Sequence, residues 1–228
     1  SGDDAPPETA FDWVMEGGIV IVILLLALLG AIALILFNLL QLTRSKFIPA
    51  DLQARLAEHM QACRVRSAIQ EASQSPSFMG RMLAVALPKA DASETLGRDA
   101  VEDAMADFTI REKATYMSNL GYLGVIAQAS PMLGLLGTVF GMIKAFAKLT
   151  TMKAADPSAL AGAIAEALVT TAGGLIVAFF CIIPYFYLRN RLNSLIGECH
   201  SSASDMLDSS LASLHREGQM AKVPEGLA

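Results

Sequence analysis

The sequence predicts an all-α membrane protein with three transmembrane helices, the second and third extended into a cytoplasmic helical bundle. Composition is the first ground: 54% of the 228 residues are apolar and only 17% charged, where soluble domains carry about 25% charged residues. The second is segregation. Gly17–Thr43, Ala114–Ile143 and Ala167–Leu188 contain no Asp, Glu, Lys or Arg, and each run reaches the roughly 20 residues that cross a bilayer core as a helix.

The third ground is the placement of basic residues, which are retained on the cytoplasmic side. Arg44 and Lys46 follow the first run, Arg111 and Lys113 precede the second, and Arg189 and Arg191 follow the third. The N-terminal tail holds Asp3, Asp4, Glu8, Asp12 and Glu16 without a Lys or Arg. The expected topology is N-terminus periplasmic and C-terminus cytoplasmic, although Lys144, Lys148 and Lys153 then fall on the outer side. Trp13 would mark the outer interface, and Tyr116, Tyr185 and Tyr187 the inner one. The chain opens on Ser1 rather than Met; a cleaved signal peptide would suit an exported tail, and truncation is the other reading.

Residues 1–16 are expected to form a polar, proline-containing periplasmic tail. Transmembrane helix 1, residues 17–43, is bulky and apolar all round and is assigned to the lipid-facing periphery. The cytoplasmic segment 44–113 carries 10 basic and 10 acidic residues, so it has no nucleic-acid footprint. Leu52, Leu56, His59 or Met60, Cys63 and Ile69 recur near helical spacing, Phe78–Leu87 suggests a second helix, and a third starts near Asp99.

Transmembrane helix 2 is placed at 114–148, a periplasmic loop at 149–156 and transmembrane helix 3 at 157–188. Asp156-Pro157-Ser158 is a helix start, with an acceptor at the N-cap and proline at the first helical position. From Pro157 to Leu188 the helix would measure roughly 48 Å, longer than the bilayer core. Leu192, Leu195, Ile196, Cys199, Ala203, Met206, Leu207, Leu211 and Leu214 continue an apolar stripe into the C-terminal segment 189–228. The last residues, REGQMAKVPEGLA, carry no pattern and are expected to fray.

Glycine costs a helix about 1 kcal/mol relative to alanine, so Gly134, Gly137 and Gly141 in SPMLGLLGTVFGMIKAF need a reason. On a helical wheel Pro131, Gly134, Thr138, Gly141 and Ala145 share a stripe, and so do Ala163, Ala167, Thr171, Gly174 and Ala178, bordered by Glu166, Thr170 and Gly173. Small stripes let membrane helices approach closely. Thr138 and Thr171 are centred on residues 154–155, in the outer loop, so a symmetric hairpin sets them at one depth. Their hydroxyls either satisfy their own helix carbonyls or line a polar track. Glu166 lies about 14 Å into its helix counted from Pro157. It is either an interfacial carboxylate reaching water or part of an ion path.

No Cys/His cluster has metal spacing, no nucleophile stands beside a base, and GLLGTVFG lacks the lysine of a phosphate loop. No enzyme, metal or cofactor is expected. Cys63, Cys181 and Cys199 do not form a disulfide framework.

The second run, with Pro131, Leu133-Gly134-Leu135-Leu136-Gly137-Thr138-Val139 and Phe140-Gly141, resembles the second-span signature of the ExbB/TolQ/MotA proton-channel family. Glu166-Ala167-Leu168, Thr171-Ala172, Gly174-Leu175 and Pro184 resemble its third span. The three-span topology matches the ExbB/TolQ branch rather than the four-span MotA branch, with ExbB the nearer reading. The resemblance covers roughly residues 115–190; Thr170 and Phe140 stand where the family commonly has alanine and tryptophan.

That resemblance implies a homopentamer in the bacterial inner membrane, surrounded by lipid, whose second and third spans enclose a single-span ExbD- or TolR-type partner. The implied function is a proton-motive-force-driven motor energising a TonB-type protein for outer-membrane transport. The alternatives are a TolQ-type role in envelope integrity and a passive structural oligomer. By the same resemblance Thr138 and Thr171, with Thr170 beside them, would line the proton path and Glu166 would sit at its outer part or in subunit contacts; Pro131, Gly134, Gly137, Gly141, Gly173, Gly174 and Pro184 are read as helix-packing residues.

Overall fold

The computed structural model describes residues 18–90, 97–151 and 157–220. The expected tail with Trp13, the Asp156 N-cap, Lys153 and the residues after Met220 lie outside this range, as do the side chains of Lys148 and Ala163. The helices are α1 (Gly18–Gln41), α2 (Arg44–Phe47), α3 (Ala50–Gln61), α4 (Val65–Gln74), α5 (Phe78–Ala86) with a 3₁₀ turn at Leu87–Lys89, α6 (Arg98–Thr151) and α7 (Pro157–Met220). The described residues include no strand, and three helices, α1, α6 and α7, are long and apolar enough to cross a membrane. The fold is therefore all-α, as the charge-free runs predict. Helix α7 continues well past Leu214, where the apolar stripe ends, as far as Met220.

The chain divides into two compact units, one of residues 1–38 and 119–187, the other of 39–118 and 188–228. In the first, α1 buries Val20, Ile21, Leu24, Ala31 and Asn38, while Ile19, Leu26, Leu29 and Leu36 are exposed. Leu24, Ala31 and Asn38 recur at seven-residue spacing, the repeat of a left-handed helix seam. A helix that reads as uniformly apolar thus has one inward edge. Asn38 is satisfied within its own helix, its Nδ2 donating to the Leu34 carbonyl at 2.8 Å.

The second unit is a small helical bundle. Phe47 and Phe78 stack with ring centroids 5.1 Å apart, and Tyr116 and Phe108 pack on them at 5.4 and 5.5 Å. Leu52, Leu56 and Met60 of α3, Met79, Met82 and Leu83 of α5, and Leu192, Cys199, Ala203 and Leu207 of α7 are buried in the same unit. The apolar spacing from Leu52 to Ile69 does not mark one helix. Cys63 takes φ 52° and separates α3 from α4, a left-handed conformation that lets the chain reverse and is uncommon for a residue with a Cβ. Ser77 caps α5, accepting from the Gly80 amide at 3.0 Å, which meets one of the orphan donors of a helix start.

Polar contacts tie α7 to the rest of this bundle. Arg44 pairs with Glu198 and Arg98 with Asp208. Arg191 Nε donates to the Leu42 carbonyl at 2.7 Å, and Ser210 Oγ to the Met60 carbonyl at 2.6 Å. Thr109 Oγ1 and His200 Nε2 are 2.7 Å apart. Burial pushes the His200 imidazole below its ordinary value and the Cys199 thiol up to about 12.

Candidate functional site

The site is built on the hairpin of α6 and α7, within the first unit. Its seam is formed by Ser130, Gly134, Gly137, Gly141 and Ala145 of α6 and Ala167, Thr170, Gly174, Val177 and Cys181 of α7, all buried. The approach is close enough to demand glycine. A Cβ on Gly174 would lie 2.5 Å from the Ser130 carbonyl oxygen, and one on Gly134 would lie 3.0 Å from the Thr171 Cα and the Thr170 carbonyl oxygen. A Cβ on Gly137 would overlap the Thr170 side chain. Where apolarity itself drives no association, such contact is what holds two helices together.

The other small residues stand apart from the closest contact. A Cβ on Gly173 would meet only Leu24 Cδ1 of α1, at 3.8 Å. Pro131 and Pro184 are half-buried, each inside an uninterrupted helix. Each ring removes a backbone donor, for Pro131 the one that would serve the Ala127 carbonyl; beside it Ser130 Oγ donates to the Ile126 carbonyl at 2.7 Å.

The three threonines occupy different environments. Thr170 is 2% exposed and donates to the Ala167 carbonyl of its own helix at 2.7 Å. Thr171 reaches across the seam, its Oγ1 donating to the Gly134 carbonyl at 3.2 Å. Thr138 is half-buried beside the seam and donates to the Leu135 carbonyl at 2.7 Å. The seam takes Gly137 where the wheel placed Thr138, because Thr170 leaves no room there for a side chain. Every one of these hydroxyls spends its proton on a carbonyl and keeps its lone pairs to accept.

Glu166 is half-buried and has a partner on the opposite helix: Lys144 Nζ lies 3.1 Å from its Oε1. The pair borders a cavity of about 210 Å³ lined also by Gly137, Phe140, Gly141, Ile143 and Thr170, with Ile19 and Val20 of α1. Sequence reasoning did not pair these two charges. The hairpin arithmetic would have done so, since Lys144 and Glu166 are centred on residue 155 just as Thr138 and Thr171 are on 154–155. Asn38 was missed too, and its seven-residue distance from Ala31 and Leu24 is the signal that could have found it.

Around this core the hairpin exposes Leu135, Leu136, Val139, Phe140, Ile143, Leu168, Leu175, Ile176, Phe179 and Phe180. Such surface suits lipid or other protein, not water. Among the described residues no group of three His, Cys, Asp or Glu could hold a metal ion.

Comparison with known proteins gives this geometry a family. The profile of the MotA/TolQ/ExbB proton channel family matches residues 74–201, more than half of the chain, with all of α6 and α7 as far as residue 201. The Tol-Pal system protein TolQ of Pseudomonas aeruginosa is 35% identical over 119 residues, 52% of this chain and 50% of that protein. The biopolymer transport protein ExbB of Xanthomonas campestris pv. campestris is 32% identical over 116 residues, 50% of this chain and 46% of that protein. The matched region thus spans about half the length of these two relatives. A longer match runs to the putative biopolymer transport protein ExbB-like 3 of Synechocystis sp., 31% identical over 189 residues, 77% of this chain and 85% of that protein. Neither the family's description nor these names denote an enzyme. The chain belongs to the MotA/TolQ/ExbB proton channel family.

Proposed function

We propose that this chain is the ring subunit of a proton-driven motor in the bacterial inner membrane, with its N-terminus periplasmic and its C-terminus cytoplasmic. Several copies, five by the family resemblance, surround the membrane helix of an ExbD- or TolR-type partner. The observation that carries the reading is the pairing of a closed glycine seam with polar groups beside it: Thr138 half-buried on one flank and Glu166 at a cavity. A hairpin with exposed apolar flanks needs neighbours, and the lone pairs of the Thr138 hydroxyl can accept from a protonated carboxyl on a guest helix. One charge crossing 100 mV gains about 2.3 kcal/mol, so useful work requires a partner that moves as protons pass.

In this reading the motor energises a TonB-type protein for outer-membrane transport. The TolQ match favours a second reading, a Tol-type role in envelope integrity. Deleting the gene separates them: lost energy-dependent uptake marks the first, and detergent sensitivity with uptake intact marks the second. The motor itself is tested by T138V and T171V in the assembled complex and by E166A. Loss of proton-driven activity with assembly preserved is expected for the threonine variants. Wild-type activity in all three would overturn the assignment of these residues to the proton path.

A further inference from the structure

A carboxylate at the edge of a cavity is ordinarily a place where a cation can sit. Glu166 borders such a cavity, and Thr170, one helical turn on, adds a hydroxyl whose proton goes to Ala167 and whose lone pairs remain. Hard cations take oxygen ligands, so this wall offers the beginnings of an alkali-cation site. The position against the carboxylate is already filled: Lys144 Nζ stands 3.1 Å from Oε1, delivered from the opposite helix. Lys144 is the one basic residue lining the cavity among the described residues, and its side chain is 60% exposed while Glu166 is 27% exposed. The ammonium is thus the more exposed member of the pair and stands against one carboxylate oxygen.

We propose that Lys144 is a tethered cation that determines ion specificity: it holds the coordination position at Glu166 and so excludes sodium while leaving the carboxylate open to protons. This rests on the reading of Glu166 as part of the proton path and adds to it a residue outside the motif. The chemistry discriminates because the two ions make different demands. A proton adds as an O–H bond to one lone pair of a carboxylate oxygen, and Oε2 can take it while the ammonium keeps its charge and its contact with Oε1. Sodium needs a vacant position among oxygens, and Nζ occupies it. Lys144 acts through Glu166 and is a positioning residue.

The test uses the full chain purified with its single-span partner in proteoliposomes. Proton flux under an imposed gradient is compared in sodium chloride and in N-methylglucamine chloride, and equilibrium binding of ²²Na⁺ is measured on the same complexes. Wild type and K144R should conduct equally in both salts and bind no sodium. K144Q should bind ²²Na⁺, and sodium at twice its dissociation constant should slow its proton flux about threefold by mass action. The double variant K144Q/E166Q should lose the sodium binding.

Sodium-indifferent K144Q, in binding and in flux, would overturn the proposal, and so would sodium binding by wild type. If K144Q fails to assemble, K144M takes its place. Failure of both, with assembly restored by K144E/E166K, would make the pair a structural staple and overturn it. A wild type that conducts no protons would count against the motor reading alone, since sodium binding by K144Q still decides the role of Lys144.

Discussion

Gly174 of α7 lies so close to Ser130 of α6 that a methyl group on it would stand 2.5 Å from the Ser130 carbonyl oxygen. The obstacle is main chain and cannot rotate away. G174A should therefore destabilise the protein by about 1–3 kcal/mol, the usual cost of overpacking, although alanine is the better helix former by about 1 kcal/mol. G173A meets only a side-chain methyl of Leu24 at 3.8 Å, an ordinary contact, so it should be neutral or stabilise by up to about 1 kcal/mol, the helix-propensity gain. Thermal unfolding in detergent compares them; equal midpoints would contradict the packing described.

The aromatic stack gives the second unit its own test. Phe78 is 1% exposed and lies between Phe47 and Phe108. F78A should cost about 3–5 kcal/mol, read as earlier cleavage of the 44–113 segment in limited proteolysis. Val85, on the same helix but 51% exposed, is the control: V85T should cleave as wild type does.

His200 makes stability depend on pH. Its folded value is lowered by burial, so the unfolded chain binds the proton more readily and stability falls as pH falls. The contribution is fully present above the ordinary value of about 6.5 and is lost as pH drops through that value toward the lower folded one. H200Q, which leaves a polar partner for Thr109, should flatten the fall in melting temperature between about pH 7 and about pH 5. An unchanged slope in H200Q would assign that pH dependence to other groups.

Cys199 is fully buried, with its thiol pushed up to about 12 and its Sγ 3.9 Å from the Phe47 carbonyl oxygen. Thiolate is the reactive form, so a maleimide near neutral pH should label the half-buried Cys63 first and Cys199 only on unfolding. Mass spectrometry of timed samples decides it. Equal labelling of the two in the folded protein would mean that α7 opens locally at this turn.

Much of the fold was legible because charge cannot be hidden in a bilayer: three charge-free runs point to the three long apolar helices. Glycine at three- and four-residue spacing announced a close contact for the same kind of reason. What spacing could not say is which residue after Gly134 continues the seam, since a step of three reaches Gly137 and a step of four reaches Thr138. The bulk of Thr170 on the other helix decides, and that is tertiary information. The break at Cys63 was invisible because its left-handed backbone sits at a residue type that does not advertise one. The inward edge of α1 was masked by the apolarity of its other faces.

The glycine seam also works as an insulator. Where Gly134, Gly137 and Gly174 bring α6 and α7 into van der Waals contact, no file of water can thread between the two helices of one hairpin. Gly137 and Thr170, packed against each other, form part of the wall of the cavity that Lys144 and Glu166 border. In the proposed motor a proton taken up at Glu166 would therefore move on along the flank of the hairpin, past Thr138, and not between its two helices. On the proposed function, leakage would then be governed by whatever lies against that outer face, and conduction would belong to the assembly and not to one hairpin.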